Sequence, residues 1–337
     1  MIYDELDNTM EHLLQEGKGF LAADESTGTI GKRFADINIE NTEDNRRKYR
    51  TLLATTDGLG EYIHGVILFE ETFDQKTDDG RLILEAFAEQ GILPGIKVDK
   101  GLVDLANTDG EKIAQGLDGL DSRLISFKEK GAKFAKWRNV YSISDNTPSL
   151  TAIKANAEVL ARYAAACQQQ GIVPIVEPEV LMDGAHSIEH CSEVCEMVLH
   201  ELFHSLFIHQ VALEYMVLKP SMVTSGKEAK PFSTPDEVAH YTINVFRNNV
   251  PAAVPSINFL SGGQSSQLAT ENLNAINVIG AQPWLLGFSF GRALQEDCLR
   301  IWQGRDENIA AAQEALLKRA RLNSDACFGE YKVESER

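Results

Sequence analysis

The run Val211-Ala-Leu-Glu-Tyr-Met-Val-Leu-Lys219-Pro-Ser-Met-Val223 decides how the rest of the chain is read. It is mostly apolar and carries β-branched residues, the composition of a strand buried on both faces. Lys219 stands at its end, before Pro220, which cannot donate to a sheet ladder and so marks the end of regular pairing. A lysine closing a buried strand is either an ion-pair partner or a nucleophile. An amine in a desolvated pocket, above all beside a second cation, falls from its usual pKa of about 10.4 towards roughly 7–8 and becomes able to attack a carbonyl.

Outward from this run the same pattern recurs. Apolar runs begin at Gly19, Gly65, Leu93, Lys133 and Gly171 on one side and at Val254 and Pro283 on the other. Helical stretches alternate with them: residues 1–17 closed by Gly17, 42–54 opened by Thr42, about 79–90, and about 119–130. Further on, Thr147-Pro148 reads as an N-cap and first-turn proline for a helix to about Gln170, and another covers about 187–207. Thr234-Pro-Asp-Glu237 is a capping box, and the last helices cover about 291–303 and 306–323. Eight buried strands alternating with helices predict a parallel (β/α)8 barrel with extra N- and C-terminal helices. We read residues 1–337 as one barrel domain, with about 324–337 as a short tail. A doubly wound open sheet is the alternative, but no Gly-x-Gly-x-x-Gly follows the first strand.

Composition narrows the function. The net charge of −18 opposes general nucleic-acid binding and anionic membrane surfaces. The acidic start, Met1-Ile-Tyr-Asp-Glu-Leu-Asp7, has neither a basic region nor an apolar segment, so no signal peptide is expected. The longest apolar runs are strand-length, so no membrane span is expected. Five cysteines in no scaffold pattern suit a reducing compartment, which points to the cytoplasm.

The strand ends carry the chemistry. Side chains two apart on a strand point the same way, and Asp24/Ser26, Lys97/Asp99, Lys136/Arg138 and Glu177/Glu179 are such pairs, each near the C-terminal end of an apolar run. One pair alone is satisfied by solvent or by an ion pair with a helix. Five strand ends, Lys219 included, fit that reading poorly, because barrel strands have one face under helices and the other in the lumen, whose top is where barrel enzymes keep their catalytic groups. Lys97, Lys136, Arg138 and Lys219 balance Asp24, Asp99, Glu177 and Glu179 four to four. Arg33 and Arg292, after the first and eighth strands, tip the mouth positive and suggest an anionic substrate. Ser261-Gly262-Gly263 and Gly291-Arg292 place free backbone N–H groups where barrels hold phosphate; Ser-Gly-Gly alone is more often only a turn.

These stretches also carry a family resemblance. Leu21-Ala-Ala-Asp-Glu-Ser-Thr-Gly28, Gly95-Ile-Lys-Val-Asp-Lys-Gly101, Phe134-Ala-Lys-Trp-Arg138, Ile175-Val-Glu-Pro-Glu179, Leu218-Lys-Pro220 and Leu260-Ser-Gly-Gly-Gln264 resemble the Schiff-base-forming, metal-independent class of fructose-bisphosphate aldolase. The likeness runs from about Gly17 to Tyr331 with the motifs in family order. It implies reversible cleavage of fructose 1,6-bisphosphate in glycolysis and gluconeogenesis, with no cofactor and no metal. Lys219 would form the Schiff base, Glu177 would act as acid and base, Lys136 would assist as a neighbouring cation, and Asp24 would take the C4 hydroxyl proton. Arg292, Ser261, Gly262 and Gly291 would hold the phosphate of the dihydroxyacetone half. Ser26, Arg33 and Lys97 would meet the other phosphate or the sugar hydroxyls, with Arg138 and Glu179 orienting the lysines. The family also suggests a homotetramer.

The chain departs from the animal pattern in places. Phe290 replaces a tyrosine, which removes a hydroxyl expected near the phosphate site, and Thr29 replaces a serine. No terminal tyrosine follows Val333-Glu-Ser-Glu-Arg337, so Tyr331 or solvent is expected to serve the enamine instead. The rival readings are a metal-dependent lyase built on His186/His190, His200/His204 and Cys191/Cys195, another Schiff-base barrel such as a transaldolase or a pyridoxal-phosphate enzyme, and a non-enzymatic scaffold.

Overall fold

A computed structural model describes residues 2–336. The strands are β1 (Gly19–Ala23), β2 (Ile63–Leu68), β3 (Leu93–Lys97), β4 (Leu102–Asp104), β5 (Lys112–Ala114), β6 (Phe134–Tyr141), β7 (Val173–Val180), β8 (Val217–Leu218), β9 (Ser256–Phe259) and β10 (Leu285–Phe290). The helices are α1 (Ile2–Leu13), α2 (Thr27–Ala35), α3 (Glu43–Ala54), α4 (Ile83–Ala88), α5 (Leu120–Glu129), α6 (Leu150–Gln169), α7 (Ile188–Ile208), α8 (Pro235–Asn249), α9 (Ser266–Val278), α10 (Arg292–Trp302) and α11 (Ile309–Cys327). Eight strands close a parallel barrel in the order β1-β2-β3-β6-β7-β8-β9-β10, the (β/α)8 architecture expected; β4 and β5 form a separate antiparallel hairpin.

Two apolar clusters build it. The larger fills the layer between strands and helices, which is why β1 and β2 are buried at every residue. The smaller fills the lower lumen with Phe20, Ile67, Phe134, Val173, Ile175 and Val217, and α1 lays Leu6, Met10 and Leu13 onto it. The lumen is tight: a Cβ on Gly95 would stand 2.0 Å from the Phe134 ring, so only glycine fits there. With its floor packed, the barrel has room for polar groups only at the C-terminal ends of its strands.

Several expectations are corrected. The Val211–Val223 run is not one strand: Leu213–Tyr215 is a single 3-10 turn, and only Val217–Leu218 joins the ladder. Burial, not pairing, makes the run apolar. Thr147 does not cap α6; Ser149 does, accepting from Ala152 N at 3.1 Å, and the Thr147–Pro148 peptide is cis. The helix expected at 79–90 shortens to α4, because Gly80 at φ 91 turns the chain and Lys76 bridges Leu82 before it starts. The first helix likewise stops at Leu13, four residues short of Gly17. The segment read as a tail begins inside α11, which continues to Cys327, and residues 333–336 form a further 3-10 turn. The sequence reading had no place for α2, whose two glycines hide its helical pattern, or for the β4–β5 hairpin.

Candidate active site

The C-terminal ends of the barrel strands surround a cavity of about 1070 Å3. Every residue assigned a catalytic or substrate-binding role from the sequence lines it: Lys219, Glu177, Asp24 and Lys136, then Ser26, Arg33, Lys97, Arg138 and Glu179, then Ser261, Gly262, Gly291 and Arg292.

At its floor four charged side chains form a chain. Lys136 Nζ stands 3.0 Å from Asp24 Oδ2 and 2.9 Å from Glu177 Oε2, while Lys219 Nζ stands 3.5 Å from Glu177 Oε1. The backbone explains the placing. Lys136 and Glu177 lie inside the long β6–β7 ladder, and β1 delivers Asp24 one residue past its end. Lys219 follows the two-residue β8; its N–H donates to Val176 O at 2.8 Å before Pro220 ends the pairing.

Burial and charge then act on the lysines in opposite directions. Burial lowers the pKa of Lys219, and Lys136 beside it adds to the lowering; Glu177, Asp24 and Glu179 recover only part of it, so Lys219 stays below the ordinary lysine range. Burial also pulls on Lys136, but its two carboxylates, Asp24 and Glu177, outweigh burial and hold it well above that range. Burial would raise Asp24 and Glu177, yet Lys136 and Lys219 hold both carboxyls below their usual values. The site therefore keeps one amine firmly charged and makes the next one easier to deprotonate than an ordinary lysine.

Around this floor lie paired supports. Arg138 bonds Glu179, and Lys97 Nζ meets Asp99 Oδ1 at 2.7 Å. Ser26 has a structural duty as well, its Oγ capping α2 at 3.3 Å from Thr29 N; Thr29 keeps a hydroxyl contact with Ser26 at 3.1 Å. Arg33 sits on α2, the helix that follows the first strand, and bonds Glu25. At the rim, Ser261 leads into Gly262 and Gly263 at φ 54 and 95, conformations that favour glycine, and Arg292 reaches within 4.0 Å of the Cβ position of Gly263.

The sequence reading missed Glu25, whose carboxylate is buried between Arg33 and Arg50, 2.6 Å from the latter. The signal was its neighbour Asp24, since an acidic pair at a strand end sends one carboxylate each way. It also missed Ser289, a buried hydroxyl on the cavity wall with no hydrogen-bond partner among the described residues. Phe290, expected near the phosphate site, packs into the core with its ring 5.6 Å from that of Phe288 and does not itself line the cavity. Of the two candidates for serving the enamine, Tyr331 lies outside the cavity, its N–H on Asn274 Oδ1 at 3.0 Å and its hydroxyl on Glu336 Oε1 at 2.7 Å, which leaves solvent. The histidine and cysteine pairs on and before α7 form no group of three metal-ligating side chains among the described residues.

A closed parallel barrel with a depressed lysine amine beside two carboxylates and a charged neighbour defines an imine-forming barrel lyase. The comparisons name it more closely. The family model "Glycolytic: Fructose-bisphosphate aldolase class-I" matches residues 5–337. The chain is 54% identical to fructose-bisphosphate aldolase 4, cytosolic, of Arabidopsis thaliana, over 95% of this chain and 82% of that one. It is equally 54% identical to the cytoplasmic isozyme of Spinacia oleracea, over 97% of this chain and 92% of the other. A solved fructose-bisphosphate aldolase of Plasmodium falciparum, in complex with TRAP and a small-molecule inhibitor, superposes with a TM-score of 0.97 at 51% identity, covering 98% of this chain and 96% of that one. The chain belongs to the class-I fructose-bisphosphate aldolase family and is a lyase of that Schiff-base type.

Proposed function

We propose that this chain reversibly cleaves fructose 1,6-bisphosphate to dihydroxyacetone phosphate and glyceraldehyde 3-phosphate through an imine on Lys219. One observation carries the reading: Lys219 is buried, meets one acid among the described residues, at 3.5 Å, and sits beside a lysine that two carboxylates keep charged. Neutral Lys219 attacks the ketone carbon. Glu177, within reach of Lys219 and Lys136, gives and takes the protons that turn the carbinolamine into an imine and expel water. The protonated imine then accepts the electron pair of the breaking C3–C4 bond, while Asp24 takes the C4 hydroxyl proton.

Arg292, the N–H groups of Gly262 and Gly291 and the Ser261 hydroxyl suit the phosphate on the dihydroxyacetone half, and Lys97, Arg33 and Ser26 the far phosphate and hydroxyls. Arg138 and Glu179, bonded to each other, position the floor charges. The cytosolic and cytoplasmic names of the relatives support a cytoplasmic place in glycolysis and gluconeogenesis. A homotetramer is the assembly proposed, to be checked by light scattering.

The test is borohydride trapping with dihydroxyacetone phosphate in the presence of chelator, followed by peptide mass mapping. A stable adduct on Lys219 with loss of cleavage is expected. An adduct on another lysine overturns the site, and activity abolished by the chelator with no adduct overturns the mechanism.

A further inference from the structure

Behind the cavity wall, Glu25 holds two guanidiniums that face different ways. It lies two residues past β1, with Arg33 on α2 and Arg50 on α3. Arg33 donates from Nη1 to Glu25 Oε1, and Arg50 donates from Nη2 to Glu25 Oε2 at 2.6 Å. Arg50 keeps 5% of its side-chain surface exposed and does not line the cavity, whereas Arg33 keeps 23% and does. Gln295 on α10 fixes the carboxylate further. Its Nε2 donates to Glu25 Oε1 at 3.1 Å and to Ala22 O at 2.8 Å, and its Oε1 accepts from the Tyr49 hydroxyl at 3.1 Å. Burial alone would raise the pKa of Glu25, but Arg33 and Arg50 hold it below the usual carboxylate range, so the group is charged.

Sharing the carboxylate leaves Arg33 half used. A guanidinium and an unshared carboxylate close up fork to fork, with two parallel hydrogen bonds. Arg46 and Glu71 of this chain do so, Nε reaching Oε2 at 2.8 Å and Nη2 reaching Oε1 at 2.6 Å. Arg33 does not, because Arg50 occupies Oε2. Among the described residues Arg33 donates through Nη1 alone, which leaves Nε and Nη2 free. Its Nη2 stands 3.9 Å from the Cβ position of Gly291 on the cavity wall. The charge count agrees: one carboxylate between two guanidiniums leaves the trio with a net positive charge, whereas a Glu25–Arg33 pair alone would be neutral.

We propose that Arg50 is a positioning residue for phosphate recognition: by holding one oxygen of Glu25 it keeps that carboxylate from capturing Arg33, and so leaves a guanidinium edge and a net positive charge for the far phosphate of the substrate. The proposal rests on the aldolase reading and on the part of Arg33 in it, and adds a buried residue that touches no substrate. The free Nε–Nη2 edge is the one that grips a phosphate side-on with two hydrogen bonds. Without Arg50, Glu25 Oε2 is buried with no partner, a costly state that Arg33 relieves by closing its fork onto both oxygens. The captured Arg33 then has neither a free edge nor a net charge to offer the cavity.

The test measures KM and kcat of Arg50→Met on fructose 1,6-bisphosphate and on fructose 1-phosphate, which lacks the far phosphate. KM for the bisphosphate should rise about tenfold with kcat little changed, while KM for the monophosphate stays within about twofold. Arg50→Lys, whose ammonium still holds Oε2, should recover most of the bisphosphate affinity. In a chain already carrying Arg33→Met, adding Arg50→Met should raise KM no further, because nothing is left to capture. A crystal structure of Arg50→Met should show Arg33 on both oxygens of Glu25, a readout independent of the reaction. An equal rise in KM for both sugars, additive effects in the double variant, or Arg33 left on one oxygen overturns the proposal. Should Arg50→Met not fold, Glu25→Gln/Arg50→Met decides, since it buries no unpaired charge. With no carboxylate to capture Arg33, its KM for the bisphosphate should lie nearer wild type than Arg33→Met, and a KM at the Arg33→Met level overturns the proposal. Failure of the aldolase reading shows separately, as absence of cleavage and of borohydride trapping in the wild type.

Discussion

Two neighbouring lysines of one pocket show how backbone context divides labour. Lys136 lies inside β6, which is registered to β7 over all eight of its residues, and that ladder brings Glu177 to 2.9 Å while β1 brings Asp24 to 3.0 Å. Lys219 follows a strand of two residues, is stopped by Pro220, and meets one carboxylate among the described residues, at 3.5 Å. Both amines suffer burial, and the number of close carboxylates decides which one stays charged. The long ladder builds a fixed cation, and the interrupted strand leaves an amine able to lose its proton and react. Each prediction below breaks or sharpens that division.

The largest effect is expected from Lys219→Met. Losing the nucleophile should lower kcat by on the order of 10^4–10^6 and abolish borohydride trapping, both read directly by assay and mass spectrometry. A variant that still traps dihydroxyacetone phosphate would move the nucleophile to the other lysine. Asp24→Asn comes next. It should cut cleavage by on the order of 10^2–10^4 while leaving imine trapping in place, because the carboxylate acts on the C4 hydroxyl and not on the amine. Equal loss of both activities would show that Asp24 serves only to hold Lys136.

How far this division was visible in the sequence depends on distance along the chain. The strand-end charges were legible because period-two spacing sorts side chains by face without any tertiary information, and every residue so chosen lines the cavity. The barrel was legible from eight apolar runs alternating with helices. What escaped depends on contacts between distant segments. Glu25 is explained only by Arg33 and Arg50, eight and twenty-five residues away. Ser149, not Thr147, caps α6, and Glu111, thirty-eight residues earlier and just before β5, accepts its N–H at 2.8 Å. The Lys219 run looked like a full strand because an apolar run that is merely buried has the same composition as one that is paired. The contrast between the lysines was invisible for the same reason, since it comes from which strands lie adjacent and how long they pair.

Lys136→Met tests the contrast through pH. Imine formation needs neutral Lys219, so trapping falls as pH drops through the amine's depressed pKa. Lys136 is one of the two influences that keep that pKa low, after burial. Removing it should raise the pKa, moving the acid limb of the trapping rate upward by about one pH unit or more. The measurement is the second-order rate of cyanoborohydride trapping across pH. An unmoved limb would leave burial as the only cause.

Glu179→Gln should give the smallest change and the opposite sign. Glu179 is the last of the carboxylates that raise Lys219, and Arg138 already neutralises most of its field by bonding it. Removing the charge subtracts a weak raising influence and leaves Arg138 less compensated, and both changes favour the neutral amine. The acid limb should therefore shift downward by roughly a few tenths of a unit, with more of the amine free at neutral pH. KM should rise at the same time, because Arg138 loses the partner that orients it. An upward shift would mean that the Glu179–Arg138 pair acts on Lys219 mainly by packing, and that carboxylate number alone does not set the difference between the two lysines.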